Sequence, residues 1–253
     1  MLSIVMLGTG NVARHLFNVL SLKKNLHVKQ VYGRSLASLE PFKDVVSATT
    51  SLNQLLPADI YLIAVSDGAI NSVSAEIKHI DGLVAHTSGN TGLSALKTKR
   101  KGVFYPLQTF TKNKNIDFSN IPICIEAENQ VDYLLLEELG TSISSTVHRI
   151  STEQRQKLHL NAVLVNNFTN HLFHWANELC EASDISFELL YPLISETADK
   201  LKHLSPFEAQ TGPARRHDVA TMQNHLEQLE NPLQKKIYQL MSESIKSLYE
   251  KKL

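Results

Sequence analysis

A run apolar from its second residue on, Ser3 to Leu7, hands straight over to Gly8-Thr9-Gly10-Asn11, and a helix-like stretch, Val12–Leu22, follows at once. That hand-over restricts the fold more than any other feature of the chain. A strand that is apolar at nearly every position cannot turn either face to water, so its sheet needs helices on both sides. Residues Ile60 to Val65 repeat the pattern. Shorter strand-like runs are expected at His27–Tyr32, Val45–Ala48, Leu83–Thr87 and Gly102–Tyr105, with helices at Ser35–Pro41 and Ala69–Lys78 between them. Such alternation predicts an α/β architecture, a parallel sheet joined by right-handed crossovers.

The texture changes after about Thr146. Strand signals stop, and helical patterns follow at Thr152–Ala182, Ser186–His203, Asp218–Gln228 and Pro232–Lys251. Ser151 is a good N-cap for the first of these, with Glu153 at the positive end of the helix. That long segment lacks Gly and Pro and carries Leu158, Leu160, Leu164, Phe168 and Leu172 on almost every side. A helix apolar all round is normally buried, so it is expected to pack against the sheet domain. The division predicted is a Rossmann-type domain at residues 1–148 and an all-helical domain at residues 149–253. The boundary should be tight, since no low-complexity linker separates the two.

Lys+Arg and Asp+Glu balance at 25 each, which gives no field to attract nucleic acid or an anionic membrane. Cys124 and Cys180 lie far apart without metal-type spacing, so buried thiols in a reducing compartment are expected and no metal is. The apolar start is interrupted at Gly8 well short of a signal-peptide core, and no stretch approaches the roughly 20 apolar residues of a membrane span. A soluble cytoplasmic protein is the expectation.

The turn Gly8-Thr9-Gly10-Asn11-Val12-Ala13 has the Gly-x-Gly-x-x-Gly/Ala arrangement of dinucleotide sites, placed after a strand and before a helix. Gly8 permits the sharp turn. Gly10 lets backbone amides approach a pyrophosphate at the helix N-terminus, and Ala13 lets that helix lie close to the sheet. The second strand ends in Tyr32-Gly33-Arg34-Ser35, without the acid that would bind a ribose 2′-hydroxyl. Arg34 can instead pair with a 2′-phosphate and Ser35 can donate to it, which favours NADP over NAD. The loops after the fourth and fifth strands, with Val65, Ser66, His86 and Ser88, fall where a ligand crevice opens in such sheets. His86 and Ser88 could hydrogen-bond a substrate oxygen there, and Ser88 could equally cap the following turn.

Reduction of a carbonyl or imine also needs a group that donates a proton or polarises the acceptor. On the long helix, Asn166 and Asn170 fall within about 20° of His159 at about 100° per residue, with Asn167 and His174 to one side. Lys157 and Asn161 form a separate pair on nearly the opposite face, so only one stripe is expected to face a cofactor. Spacing alone leaves the choice open.

Together with Gly8–Ala13, the motifs His86-Thr87-Ser88-Gly89, Tyr105-Pro106-Leu107-Gln108-Thr109-Phe110 and Thr211-Gly212-Pro213-Ala214-Arg215-Arg216-His217-Asp218 are similar to those of one bacterial group over nearly the whole chain. That group pairs a Rossmann-like domain with a helical C-terminal domain of unknown function. Its members are labelled NADP oxidoreductases by inference, and are related to the pyrroline-5-carboxylate, 6-phosphogluconate and ketopantoate reductase folds. The resemblance implies that the helix His and Asn of the group correspond to His159 and Asn167, and its Gly-Pro-x-x-Arg-x-Asp motif to Gly212, Pro213, Arg216 and Asp218. Two positions depart from the group. His217 stands where many members have Gly, and Tyr105 stands where many have His.

The expected activity is an NADPH-dependent reduction of a small carboxylated 2-oxo acid or cyclic imine. His159 would donate the proton, Asn167 would hold the reacting atom, and Gln108 and Arg216 would bind substrate, with Arg216 on its carboxylate. Arg216 and Asp218 could instead form a structural pair capping the next helix. A homodimer through the helical domain is expected from the apolar stripe Leu240, Ile245 and Leu248. The rivals are a non-catalytic NADP(H)-binding protein and a methyltransferase, the second disfavoured by Arg34.

Overall fold

The computed structural model describes residues 1–112 and 114–250. The chain divides into two compact units, Met1–Phe173 and His174–Leu253.

The first unit is built on an eight-stranded sheet of order β3-β2-β1-β4-β5-β6-β7-β8. The strands are β1 (Leu2–Leu7), β2 (Leu26–Tyr32), β3 (Ser47–Thr49), β4 (Ile60–Ile63), β5 (Leu83–His86), β6 (Lys101–Pro106), β7 (Ile123–Ala127) and β8 (Val147–Arg149). Every neighbouring pair is parallel except β6 and β7. The order 3-2-1-4-5-6 is that of a doubly wound dinucleotide-binding sheet, with its reversal between β1 and β4. The α/β reading is therefore correct.

Alternation along β1 shows why both its faces are apolar. Ile4 and Met6 enter one core with Ala13, Leu16 and Leu20 of helix α1 (Asn11–Ser21), while Val5 and Leu7 enter a second core with Ile70 and Ile77. Ile70 belongs to α3 (Asp67–Glu76), which follows the short α2 (Leu36–Leu39) in the chain. The buried α1 positions are spaced by three and four residues, one helical face, and fully buried Ala13 lets α1 approach the sheet.

Two strands and one helix depart from the expected pattern. β7, α4 (Gln130–Thr141) and β8 extend the sheet beyond β6, so strand structure does not stop at Thr146. β7 carries Cys124 and Glu126 within a five-residue run, and three-residue β8 offers too little periodicity to be read from sequence. Asn129 caps α4 by accepting from the Asp132 amide.

The long helical run begins at α5 (Thr152–Ala162) with a complete Ser151/Gln154 capping box, passes through a π-helical turn at Val163–Phe168, and continues as α6 (Thr169–Ala182). The expectation that it is buried fails within this chain. Leu160 is 60% exposed, Val165 74% and Phe168 58%, whereas Arg155 is its fully buried residue. Leu158 packs against Val103, Tyr105 and Cys124, while Leu160, Val165 and Phe168 stay largely uncovered.

In the second unit the stretch expected as one helix from Ser186 to His203 is broken into a 3-10 turn at Phe187–Leu190, α7 (Tyr191–Asp199) and a second 3-10 turn at Lys200–Lys202. Pro192 explains the first break: it lacks an N–H to donate and is tolerated only at a helix start. α8 (Pro206–Ala209), α9 (Val219–Gln228) and α10 (Pro232–Glu250) complete the unit. Lys251, expected as the end of α10, lies outside the described residues. No described helix is long and apolar enough to cross a membrane.

Candidate functional site

A cavity of about 890 Å³ opens in the first unit at the carboxyl ends of β1 and β4, the switch point of the sheet. Its wall on one side is the turn that the sequence singles out. Gly8 sits at φ 130°, and a Cβ there would lie 2.1 Å from the Ala64 carbonyl oxygen, so only glycine fits. Gly10 is the N-cap of α1, makes no side-chain cap, and precedes a first turn without acids. No N-cap side chain therefore satisfies the amides of that turn among the described residues, and a Cβ on Gly10 would meet nothing within 4 Å. Open space in front of uncapped amides at the positive end of an eleven-residue helix fits a diphosphate.

Thr9, Asn11, Val12, Val65 and Ser66 also line the cavity. The Asn11 Nδ2 donates to the Phe110 carbonyl at 3.0 Å, tying the glycine turn to the segment after β6. Arg34 lines the cavity and is exposed, while Ser35 lies outside the wall and caps α2 by accepting from the Ser38 amide. Among the described lining residues none is acidic. A polyanion thus meets one guanidinium and no carboxylate.

The opposite wall comes from β6, the segment after it and the long helix: Tyr105, Gln108, Thr109, His159, Asn161, Asn166 and Asn167 among them. His159 and Asn167 both line the cavity. So does Asn161, whereas Lys157 is exposed elsewhere, and the idea of two exclusive stripes does not hold. The π turn at Val163–Phe168 alters only the angles counted at about 100° per residue to Asn166 and Asn167, since His159 and Asn161 both precede it.

His86 does not reach the cavity, and Ser88 takes the turn-capping place that its sequence position left open. His86 is fully buried, its Nδ1 accepts from the Ser88 amide at 3.2 Å, and burial, then the Arg155 charge, lowers its pKa to about 4. Ser88 is also buried, and its Oγ accepts from the Asn90 and Thr91 amides. Neither lines the cavity. They shape the loop after β5, whose Thr87 does line it.

The group that fixes this loop was not apparent from the sequence. Arg155 donates from Nη1 to the carbonyls of Ser88 (3.0 Å), Gly89 (3.2 Å) and Thr91 (2.8 Å), and from Nη2 to Glu126 Oε2 at 3.1 Å. Glu126 is held in turn by the Thr152 amide and hydroxyl at 3.0 and 2.9 Å. One buried cation therefore joins the β5 loop, β7 and the start of α5. A signal existed: an arginine one turn into a strongly capped helix, opposite a glutamate in an otherwise apolar strand. Gln108 lines the cavity, and its Oε1 accepts from the Thr109 amide.

In the second unit, Arg215 is committed to structure, donating to the Glu208 and Gln210 carbonyls and lying over the Tyr249 ring. Asp218 caps α9 by accepting from the Thr221 amide and hydroxyl, and these bonds hold its carboxyl below the usual value. It makes no ion pair with Arg216, whose exposed guanidinium has no hydrogen-bonding partner among the described residues. His217 takes φ 55°, a left-handed conformation that glycine adopts without steric cost, which explains a glycine at this position in similar sequences.

A doubly wound sheet whose switch point opens onto a glycine turn and an uncapped helix N-terminus defines a Rossmann-type dinucleotide-binding fold. Residues 121–245 match the family model described as a domain of unknown function, DUF2520. A Bacteroides fragilis protein, provisionally named an NADP oxidoreductase, is 35% identical, with a TM-score of 0.90 over 97% of this chain and 98% of that one. The chain belongs to the family of that protein, Rossmann-like proteins with a helical C-terminal region. Two more distant structures share the fold. One is a reductive aminase from Aspergillus terreus in complex with NADPH and ethyl levulinate (TM-score 0.70, 14% identity, 99% of this chain and 93% of that one). The other is a pyrroline-5-carboxylate reductase from Coxiella burnetii (TM-score 0.57, 18% identity, 99% and 94%). Comparison with curated proteins finds no match.

Proposed function

We propose that this protein is an NADPH-dependent reductase acting on a small carboxylated 2-oxo acid or cyclic imine. The observation that carries the reading is one cavity shared by a diphosphate-compatible glycine turn and a wall bearing His159 and Asn167. Gly8, Gly10 and the first turn of α1 would hold the diphosphate, and Arg34 would pair with the 2′-phosphate. Bound there, the reduced nicotinamide supplies a hydride. His159 donates the proton that the substrate oxygen or nitrogen needs, and the Asn167 amide orients that atom. Arg216, whose guanidinium has no hydrogen-bonding partner among the described residues, is the residue proposed to bind the substrate carboxylate. The names of the Bacteroides and Aspergillus proteins support a pyridine nucleotide and an oxidoreductase.

The experiment is a fluorescence titration with NADPH followed by an oxidation assay over a panel of 2-oxo acids and cyclic imines. Saturable binding with turnover of at least one class is the expected result. Binding without turnover across the panel would favour a non-catalytic NADP(H)-binding protein instead.

We further propose a homodimer formed through the helical region. Besides the exposed apolar residues of the long helix, Leu189 is 72% exposed, Leu193 63% and Leu240 55%. Leaving such a set in water is unfavourable by roughly 25 cal/mol per Å² of apolar surface. Light scattering at micromolar concentration should return twice the chain mass of 28.3 kDa, and a monomer would refute the assignment. Free Cys124 and Cys180 suit the reducing cytoplasm.

A further inference from the structure

We propose that Tyr105 is a positioning residue: its hydroxyl engages His159 Nδ1 and thereby commits Nε2 as the nitrogen that faces the reacting atom. This deepens the reductase reading and rests on it for the identity of the reaction. The geometry is specific. The Tyr105 hydroxyl lies 3.2 Å from His159 Nδ1, with the rings edge to face at 76°. Both residues line the cavity. His159 Nε2 has no hydrogen-bond partner among the described residues, so it is the ring nitrogen left for a ligand.

The ring is confined from a second side. A Cβ on Gly89 would fall 2.6 Å from Nδ1 and 2.8 Å from Cγ of His159, so the imidazole rests directly on a glycine backbone. That backbone is itself fixed, because Arg155 Nη1 holds the Gly89 carbonyl at 3.2 Å. Tyr105 is closely packed as well. It ends an apolar cluster with Val103 and Cys124 and is 8% exposed. Burial raises its pKa, so the phenol keeps its proton and serves as a neutral partner.

With the Tyr105 O–H donating to Nδ1, the neutral ring carries its proton on Nε2. In the reducing step the Nε2–H bond breaks and an O–H or N–H bond forms on the substrate atom that has gained electron density. The electron pair left on Nε2 then takes a proton from water. Tyr105 loses nothing in the cycle, which separates its role from that of an acid.

The first test needs neither substrate nor cofactor. In protein labelled with ¹⁵N-histidine, the His159 ring is assigned by comparison with His159→Gln, at about pH 8, above the usual imidazole value. The expected wild-type ring is the Nε2–H tautomer. In Tyr105→Phe the Nδ1–H fraction should rise about fivefold, the ratio that one neutral hydrogen bond commands. Gly89→Ala, which displaces the ring while keeping both partners, should give the same rise and serves if the Phe variant does not fold. An unchanged tautomer ratio in the folded variants overturns the proposal. With any substrate turned over at the site, Tyr105→Phe should lower kcat about tenfold and leave the KM for NADPH within about twofold; an increase in KM at constant kcat also overturns it. Absence of turnover would count against the reductase reading and leave the tautomer result standing.

Discussion

Replacing Arg155 by Met tests how the site is held together. The guanidinium is fully buried and serves the carbonyls of Ser88, Gly89 and Thr91 together with Glu126. Methionine fills much of the same volume without charge, so packing changes little. What is lost is the set of donors. Removing one partner of a buried ion pair typically costs about 3–5 kcal/mol, because the other is left uncompensated. Here Glu126 keeps both Thr152 bonds, which moderates that part, but the loop carbonyls lose a shared donor. We therefore expect a loss of about 3–5 kcal/mol. At about 2–4 °C per kcal/mol for a chain of this size, the melting temperature should fall by roughly 6–20 °C. Thermal unfolding followed by circular dichroism reads this directly. Glu126→Gln and the double variant complete a cycle, in which the pair should show a coupling above about 1.5 kcal/mol. An Arg155→Met protein within about 1 kcal/mol of wild type would show that the buried cation does not organise the β5 loop.

His86 gives the protein a pH limit. Its pKa falls from 6.5 to about 4 on folding, so the unfolded chain binds the proton more readily. The stability it protects is complete above pH 6.5 and should decline by about 3 kcal/mol as pH falls to 4, with no further loss from this group below that. In denaturant titrations across that window His86→Phe should show a shallower dependence, and an identical slope would contradict the assignment. The two glycines of the turn should separate fold from binding. Gly8→Ala forces a Cβ against the Ala64 carbonyl and should cost about 3 kcal/mol or more in stability. Gly10→Ala meets no neighbour, should melt within about 2 °C of wild type, and should weaken NADPH binding at least about tenfold; equal effects of the two on melting would refute the division.

The sheet was legible because its strands announce themselves twice, once as apolar runs and again through the turn residues that end them. β1 is apolar from Ile4 to Leu7 and β4 from Ile60 to Ile63, and Gly8 and Ser66 mark their exits. β7 and β8 lacked both signals, β7 being short and interrupted by Glu126 and β8 having three residues, two of them polar. The glycine turn was readable because each position has one steric task. His159 and Asn167 were singled out through the family resemblance, and helical angles counted from His159 to Asn167 fail at the π turn, which no residue pattern in Val163–Phe168 announces. His86 and Ser88 could not be assigned from sequence because a polar residue at a strand end reads alike whether it faces a ligand or holds its own loop. Burial decides that, and it comes from Arg155, a residue distant in sequence. The apolar circumference of the long helix was visible, but its exposure was not, since composition around a helix does not report what lies against it.

The account depends on a dinucleotide whose phosphates meet the glycine turn and Arg34. Calorimetric titration of wild type and Arg34→Asp with NADPH and NADH measures that directly. We expect wild type to bind NADPH at least about tenfold more tightly than NADH, the value of one charge-assisted contact, and Arg34→Asp to abolish or reverse the preference. Equal affinities that the substitution leaves unchanged, or no binding of either nucleotide, would contradict it.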